Sequence, residues 1–157
     1  MSMTIQSSSF HHNGVIPVRH TCDGHNISPE LSWTGAPPGT KSLALIVDDP
    51  DAPDPDAPRM IWVHWILYNI PANVHGLPEG VAANELPFGT MPGLNDWQHP
   101  RYEGPCPPVG NHRYYHKLFA LNVVLPDVKH PSRDALEKAM QGHILAQANL
   151  IGRYQRL

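Results

Sequence analysis

Three runs of apolar residues in the first four-fifths of the chain predict β-strands. Ser42–Val47 is short, rich in β-forming residues and ends where two aspartates precede a proline. Ile61–Ile70 is dense in aromatic and β-branched residues, and because both of its faces are apolar we expect it to lie centrally in a sheet. Tyr114–Leu125 is the third predicted strand. The segment 71–108 is rich in glycine and proline and predicts long, shaped loops with little regular structure.

The polar and apolar pattern predicts a helix only in the C-terminal part. Ser132 is a good N-cap, Asp134 falls in the first turn where the helix dipole favours an anion, and Gly142 ends the segment. Three apolar residues share one face: Leu136, Ala139 and Met140. The remainder, 143–154, fits the spacing of a helix and the alternation of a strand equally well, and both interpretations stay open.

Composition limits the fold and the class of function. A chain of 157 residues predicts one domain, 1–157. Its 18 prolines are spread along the chain and exclude long helices from the middle, so the fold class is mainly β. A net charge of −3 with neutral histidines predicts no broad basic face and no nucleic-acid partner. The 11 histidines would make the chain more basic below pH ~6.5.

The N-terminus and the cysteines bear on location. No basic segment followed by an apolar core is present at the start, and no run approaches the ~20 apolar residues of a membrane span. We therefore predict a cytoplasmic protein without stable membrane insertion. Cys22 and Cys106 form no CxxC pair, and a reducing compartment favours two free thiols, although the sequence does not exclude a disulfide.

An internal repeat, DPDAP, occupies residues 49–53 and 54–58. Two acidic turns could coordinate a cation such as Ca²⁺. Alternating prolines restrict how the carboxylates converge, however, and no glycine supplies the tight turn of a calcium loop. We favour the interpretation that the first copy acts at the strand end and the second lengthens the loop.

Histidines and an aspartate at the ends of predicted strands are the candidate functional residues. A lone His64 in an apolar strand is usually a buried ring bonded to a backbone carbonyl, but a second histidine and Asp49 favour a pocket. A carboxylate beside an imidazole favours the charged ring, which donates well to an anion. The loop 104–110 would add backbone N–H groups. If the following segment is a strand, three residues share one face: His112, Tyr114 and His116.

Taken together, these motifs resemble the phosphatidylethanolamine-binding protein family, in its bacterial and archaeal, Raf-kinase-inhibitor-like branch. The resemblance is carried by DPDAP at 49–53, WVHW at 62–65 and GPCPPVGNHRY at 104–114. DGHNISP at 23–29 and GHILA at 142–146 support it. It spans roughly Thr21 to Tyr154.

The resemblance implies an antiparallel β-sandwich with a few short peripheral helices and a cis-proline turn. It also implies a pocket for phosphate-like anions, whose polar residues would be Asp49, His64, His112 and Tyr114. Its walls would be Pro53, Gly104 and Pro108. Asp51 and Arg113 match motif positions that we expect to be structural, paired with each other or with loop backbone.

We therefore expect a binding module for a small phosphate-like or carboxylate anion, without a cofactor or a metal. His64 and His112 would donate to the anion, Asp49 would orient and charge an imidazole, and Tyr114 would add a hydroxyl. The resemblance also suggests a homodimer and, more weakly, a regulated protein partner such as a kinase or protease.

A metal- or His/Asp-assisted hydrolase of a phosphate or ester is the alternative, disfavoured because HExxH and GxSxG are absent. His116 stands where the family usually has an aromatic residue, and packing is the favoured role over a third contact to the anion.

Overall fold

The computed structural model describes residues 2–157, which form two β-sheets and one α-helix. In chain order the elements are β1 (Thr4–Gln6), β2 (Gly14–Val15), β3 (Leu31–Thr34), β4 (Ser42–Ala52), β5 (Met60–Pro71), β6 (Gly76–Leu77), β7 (Met91–Pro92), β8 (His112–Leu121), α1 (Arg133–Met140) and β9 (Ile144–Tyr154). The small sheet has the order β1-β3-β6 and the large sheet β2-β9-β8-β4-β5-β7. Among the strand pairs of residues 2–157, only β2 and β9 run parallel. The prediction of a mainly antiparallel β-sandwich is confirmed.

The large sheet is apolar on both faces. Trp33 of the small sheet packs in one cluster with Leu45 and Leu118 of the large sheet, so this cluster fills the space between the sheets. On the opposite face, Leu136 and Met140 of α1 cover a second cluster. Burial on both sides explains why β4 and β5 are nearly continuous apolar runs in the sequence.

The helix and the loop-rich region agree with the sequence patterns. The hydroxyl of Ser132 accepts a hydrogen bond from the backbone N–H of Ala135 at 3.2 Å, which makes Ser132 the N-cap of α1. Between the end of β5 and residue 108 there are only β6, β7 and one 3₁₀ turn at Ala83–Glu85. The peptide bond Ala52–Pro53 is cis, as the resemblance implied.

The structure decides the C-terminal segment, which the sequence left open, and corrects two predicted strands: β4 continues past the predicted end at Val47 to Ala52, and the third strand differs at both ends. All of this segment after His143 forms the strand β9 (Ile144–Tyr154), which pairs with β8 from His112↔Tyr154 to Leu121↔Ile144. This pairing starts β8 two residues earlier than predicted. The predicted end at Leu125 was wrong because the amide of Asn69 bonds both the carbonyl and the N–H of Leu125, at 2.8 and 2.9 Å. The sequence patterns also did not reveal β1, β2 and β3, which are two to four residues long.

Cys22 and Cys106 form a disulfide, so the expectation of two free thiols was wrong. That expectation depended on an assumed reducing compartment, whereas the fold brings the two Cα atoms, 84 residues apart in the chain, to 5.4 Å. The cytoplasmic location stays a prediction.

Within residues 2–157, no helix combines the length and the apolar character needed to cross a membrane.

Candidate functional site

A cavity of about 260 Å³ lies at the end of the large sheet where β8, β4 and β5 are neighbours. Because these strands are antiparallel, the end of β4 meets the beginnings of β5 and β8. Two loops complete the wall. The lining consists of Asp49, Ala52, Pro53, Met60, Trp62, His64, Trp97, Cys106, Pro107, Pro108, His112 and Tyr114. Six of the seven predicted ligand-binding residues are therefore brought together, and Gly104 is the exception.

A β-bulge turns His64 toward the cavity. Val47 pairs with Trp65 and the next residue, Asp48, pairs with Val63, so His64 is the extra residue of β5. Val63 packs on the helix side of the sheet and Trp65 packs between the sheets. The bulge thus interrupts the alternation of β5 at a residue that lines the cavity, and bulges are common near functional sites.

The ring of His64 is neutral at pH 7 and presents an acceptor. Its Nδ1 lies 2.7 Å from the carbonyl oxygen of Glu103. A carbonyl only accepts, so Nδ1 carries the hydrogen and Nε2 of the neutral ring has a free lone pair. Burial lowers the pKa of His64 to about 4, an effect only partly offset by its backbone hydrogen bond. The imidazole that pairs with Asp49 is that of His112 and not this ring.

The side chains of Asp49 and His112 form a buried pair. Most of their hydrogen-bonding groups are satisfied by each other or by nearby backbone. Asp49 Oδ2 lies 2.5 Å from His112 Nδ1, and His112 Nε2 donates to the carbonyl of Val109 at 2.8 Å. Asp49 Oδ1 accepts from the N–H of Asp51 at 2.7 Å. Burial raises the pKa of the Asp49 carboxyl, and the hydrogen bond from His112 opposes this. While these bonds hold, His112 has no N–H left for an anion, contrary to the expected donation.

Tyr114 supplies the free donor of the cavity. Its ring is 1% exposed, with its centroid 5.2 Å from that of His64 and 6.3 Å from that of His112. Burial raises the pKa of the Tyr114 hydroxyl, which therefore stays protonated. Within residues 2–157, neither this hydroxyl nor Nε2 of His64 has a hydrogen-bond partner.

His116 is packed, as favoured from the sequence. It is 2% exposed, its Nδ1 lies 3.2 Å from the carbonyl oxygen of Leu150, and its ring contacts Phe10 at 5.4 Å between centroids. Burial lowers its pKa to about 4. It shares the buried face of β8 with His112 and Tyr114 but does not line the cavity.

Asp51 and Arg113 form the structural pair that the motif implied. Arg113 donates from Nε at 3.0 Å and from Nη2 at 2.8 Å to the Asp51 carboxylate, and its backbone N–H donates to the same group at 2.9 Å. These hydrogen bonds lower the pKa of Asp51. The pair joins the end of β4 to the beginning of β8 beside the cavity.

Gly104 supports the cavity wall from behind. Its N–H donates to the side-chain oxygen of Asn26 at 2.7 Å, so it is not free to meet an anion. A Cβ atom at this position would lie 1.9 Å from the carbonyl oxygen of His20. Glycine is required here because two backbone segments touch, a different role from the one expected.

Six lining residues were missed by the sequence analysis: Ala52, Met60, Trp62, Trp97, Cys106 and Pro107. Trp97 lies in the loop-rich region, and its ring contacts those of Trp62 and His64 at 5.3 and 5.2 Å between centroids. A single tryptophan inside a loop with Asn95 and Asp96 before it was the available signal, because a large aromatic side chain in a polar loop needs a packing partner.

Comparison with known proteins identifies the family. The sequence matches the phosphatidylethanolamine-binding protein family over residues 6–155. The chain belongs to this family. A UPF0098 protein of Methanothermobacter thermautotrophicus is 48% identical over 155 residues, covering 98% of this chain and 99% of the relative. A UPF0098 protein of Chlamydia pneumoniae is 43% identical over 154 residues, with 98% and 99% covered.

Solved structures of phosphatidylethanolamine-binding protein homologues share the fold. A putative homologue from Chlamydia trachomatis has a TM-score of 0.90 at 40% identity, covering 99% of both chains. YbcL of E. coli, described as a member of the mammalian family, has a TM-score of 0.89 at 32% identity, covering 100% of both. The family's sandwich is thus present along the whole described chain.

The Asp51–Arg113 pair should stabilise the fold in a pH-dependent way. Asp51→Asn should lower the free energy of unfolding at pH 7 by about 1–2 kcal/mol. This is the usual contribution of a charged hydrogen bond, reduced because Arg113 is partly exposed to solvent. Because folding lowers the pKa of Asp51, its contribution is present above the unfolded pKa of about 3.9 and is lost as the pH falls below it. Urea unfolding at pH 7 and pH 3 measures both values.

Asp56→Asn is the matched control, since Asp56 occupies the same place in the second DPDAP copy and is exposed. It should change the stability by less than about 0.5 kcal/mol at either pH. Equal losses from the two substitutions would contradict the assigned role of Asp51.

Gly104→Ala should destabilise the protein by about 3 kcal/mol or more, because the added methyl group would overlap a backbone oxygen that cannot move freely. Gly142→Ala, where no atom lies within 4 Å but φ is +83°, should cost only about 1 kcal/mol of conformational strain. Thermal unfolding of both variants tests this order, and a smaller loss for Gly104→Ala would show that the two segments are not held together.

Proposed function

We propose that the cavity binds a small acid, a phosphoryl or carboxyl group, through Tyr114 and His64. The observation that carries the proposal is that Tyr114 and His64 both line the cavity, and that neither the Tyr114 hydroxyl nor His64 Nε2 has a hydrogen-bond partner among residues 2–157. Both atoms are therefore available to form hydrogen bonds with a ligand.

The two atoms require opposite hydrogen-bonding groups on a ligand. Tyr114 offers a hydrogen to an acceptor oxygen, whereas neutral His64 needs a donor at Nε2. A fully ionised phosphate or carboxylate has acceptors only. A phosphomonoester with one remaining P–OH, which ionises near pH ~6, has both. The proposed ligand therefore binds as the monoanion, or takes up a proton on binding.

The charge of the cavity agrees with a monoanion. Among residues 2–157, no lysine or arginine lines it, and its one carboxylate, Asp49, is bonded to His112. A dianion would be buried there without a compensating charge, which is costly in a poorly solvated site. The family name also supports a phosphoryl group, because phosphatidylethanolamine contains one. A homodimer and a regulated protein partner stay predictions from the resemblance.

Hydrolysis is supported less well than binding. His112 is held through both ring nitrogens, and the pKa of His64, about 4, is too low for an efficient general base near pH 7. The lining contains no serine or threonine, and its Cys106 is in the disulfide. In the described part of the chain, no three His, Cys, Asp or Glu side chains converge as metal ligands.

Binding of methyl phosphate should weaken as the pH rises. Because the complex contains one proton more than the separated dianion and neutral protein, affinity should fall roughly tenfold per pH unit above pH ~6. Calorimetry between pH 6 and pH 8, in two buffers with different ionisation enthalpies, measures the affinity and the proton taken up.

Two variants make this test specific. His64→Ala should lose binding at both pH values. His64→Gln provides an amide N–H that can donate to the dianion, so its affinity should vary much less with pH. An affinity of the wild type that is constant or rises with pH would refute the proton-coupled site.

A further inference from the structure

Beyond its two free polar atoms, the cavity has an apolar and largely aromatic wall. This wall contains Trp62 and Trp97, together with Met60, Pro53 and Pro108. Three of these residues are exposed at the rim of the cavity: Met60 (45%), Trp97 (36%) and Pro108. This wall is larger than the acid group alone would need.

The position of Trp97 is fixed by the fold. Its backbone N–H donates to the side chain of Asn95 at 2.9 Å, and Asn95 is 1% exposed. The neighbouring Asp96 exchanges two hydrogen bonds with the backbone of Val63, at 2.7 and 3.0 Å, which attaches this loop to β5 next to His64. Trp97 is thus held in place before any ligand arrives.

The two indoles form an edge-to-face pair that continues to the polar end of the cavity. The rings of Trp62 and Trp97 are 84° apart, and those of Trp97 and His64 are 69° apart. Rings in such arrangements leave a face or an edge for a further aromatic ring, which gains contact energy in addition to its burial.

We propose that the acid bound here carries an aromatic ring, and that Trp62 and Trp97 form the subsite for this ring. The proposal rests on acid binding by His64 and Tyr114 as proposed above. The volume of about 260 Å³ is below the usual ~300–1,000 Å³ of pockets for drug-sized ligands, so the ligand is a small aryl acid.

A head group with an ammonium fits the same wall less well. The one carboxylate in the lining, Asp49, is already bonded to His112 and to the N–H of Asp51. A cation–π contact with a partly exposed tryptophan is the remaining attraction, and it is weak at exposed sites. The wall therefore selects an aromatic substituent over an aminoethyl group.

Calorimetric titration at pH 6 with three probes tests the subsite: methyl phosphate, O-phosphorylethanolamine and phenyl phosphate. Phenyl phosphate should bind about tenfold more tightly than the other two, equal to about 1.4 kcal/mol. Trp97→Ala should weaken the binding of phenyl phosphate much more than that of methyl phosphate, and so remove this preference. Phe88→Ala, which removes a 99% exposed aromatic ring outside the cavity, should leave all three affinities unchanged.

Two further variants guard against indirect effects. Trp97→Phe should restore part of the preference, because a ring is again available. Met60→Ala, at an exposed rim position where folding is not at risk, should reduce the preference about two- to threefold, equal to about 0.4–0.7 kcal/mol.

The outcomes separate the two proposals. Equal affinities for methyl and phenyl phosphate would overturn the aromatic subsite and leave acid binding intact. Equal losses for both probes in Trp97→Ala would also overturn it, since Trp97 would then only support His64. If no probe bound to the wild type, the acid-binding function itself would be refuted.

Discussion

The buried hydrogen bond between Asp49 and His112 is the contact on which the rest of the site depends. It joins the last part of β4 to the first residue of β8, across the sheet end that contains the cavity. Through its second oxygen Asp49 shapes the turn that presents Asp51 to Arg113, and through its second nitrogen His112 holds the loop at Val109. With these groups satisfied by one another, the proposed recognition of an acid depends on Tyr114 and His64.

The repeated DPDAP sequence illustrates what local sequence can and cannot determine. In both copies the first aspartate accepts a hydrogen bond from the N–H of the second, at 2.7 Å for Asp49 and 2.9 Å for Asp54. This local hydrogen bond recurs, but the backbones differ, since residues 49–52 belong to β4 and Ala52–Pro53 is cis, whereas residues 54–57 form a turn. Their environments differ, since β8 supplies His112 and Arg113 to the first copy and the second remains at the surface. The aspartate–N–H hydrogen bond depends on neighbouring residues only, and strand pairing decides which copy is buried.

Most of the fold was predictable because its strands and helix have strong apolar patterns and clear caps. The site was predictable in its composition but less so in its protonation. The bulge at His64 interrupts the alternation on which strand predictions depend, and the bond from His64 to Glu103 joins residues 39 positions apart. Burial lowers the pKa of three of the 11 histidines, His20, His64 and His116. The chain therefore gains less positive charge in mild acid than its histidine content suggests.

The meeting of three strand ends at one edge has a thermodynamic consequence. Asp49, His64, His112 and Tyr114 all lie on strands of a sheet that is packed on both faces, so their backbone and rotamers are ordered in the absence of ligand. An immobilised side chain has about 0.5–1.5 kcal/mol less entropy to lose on association than a mobile one. The proposed ligand, with only a few heavy atoms, would therefore not have to order the residues that contact it.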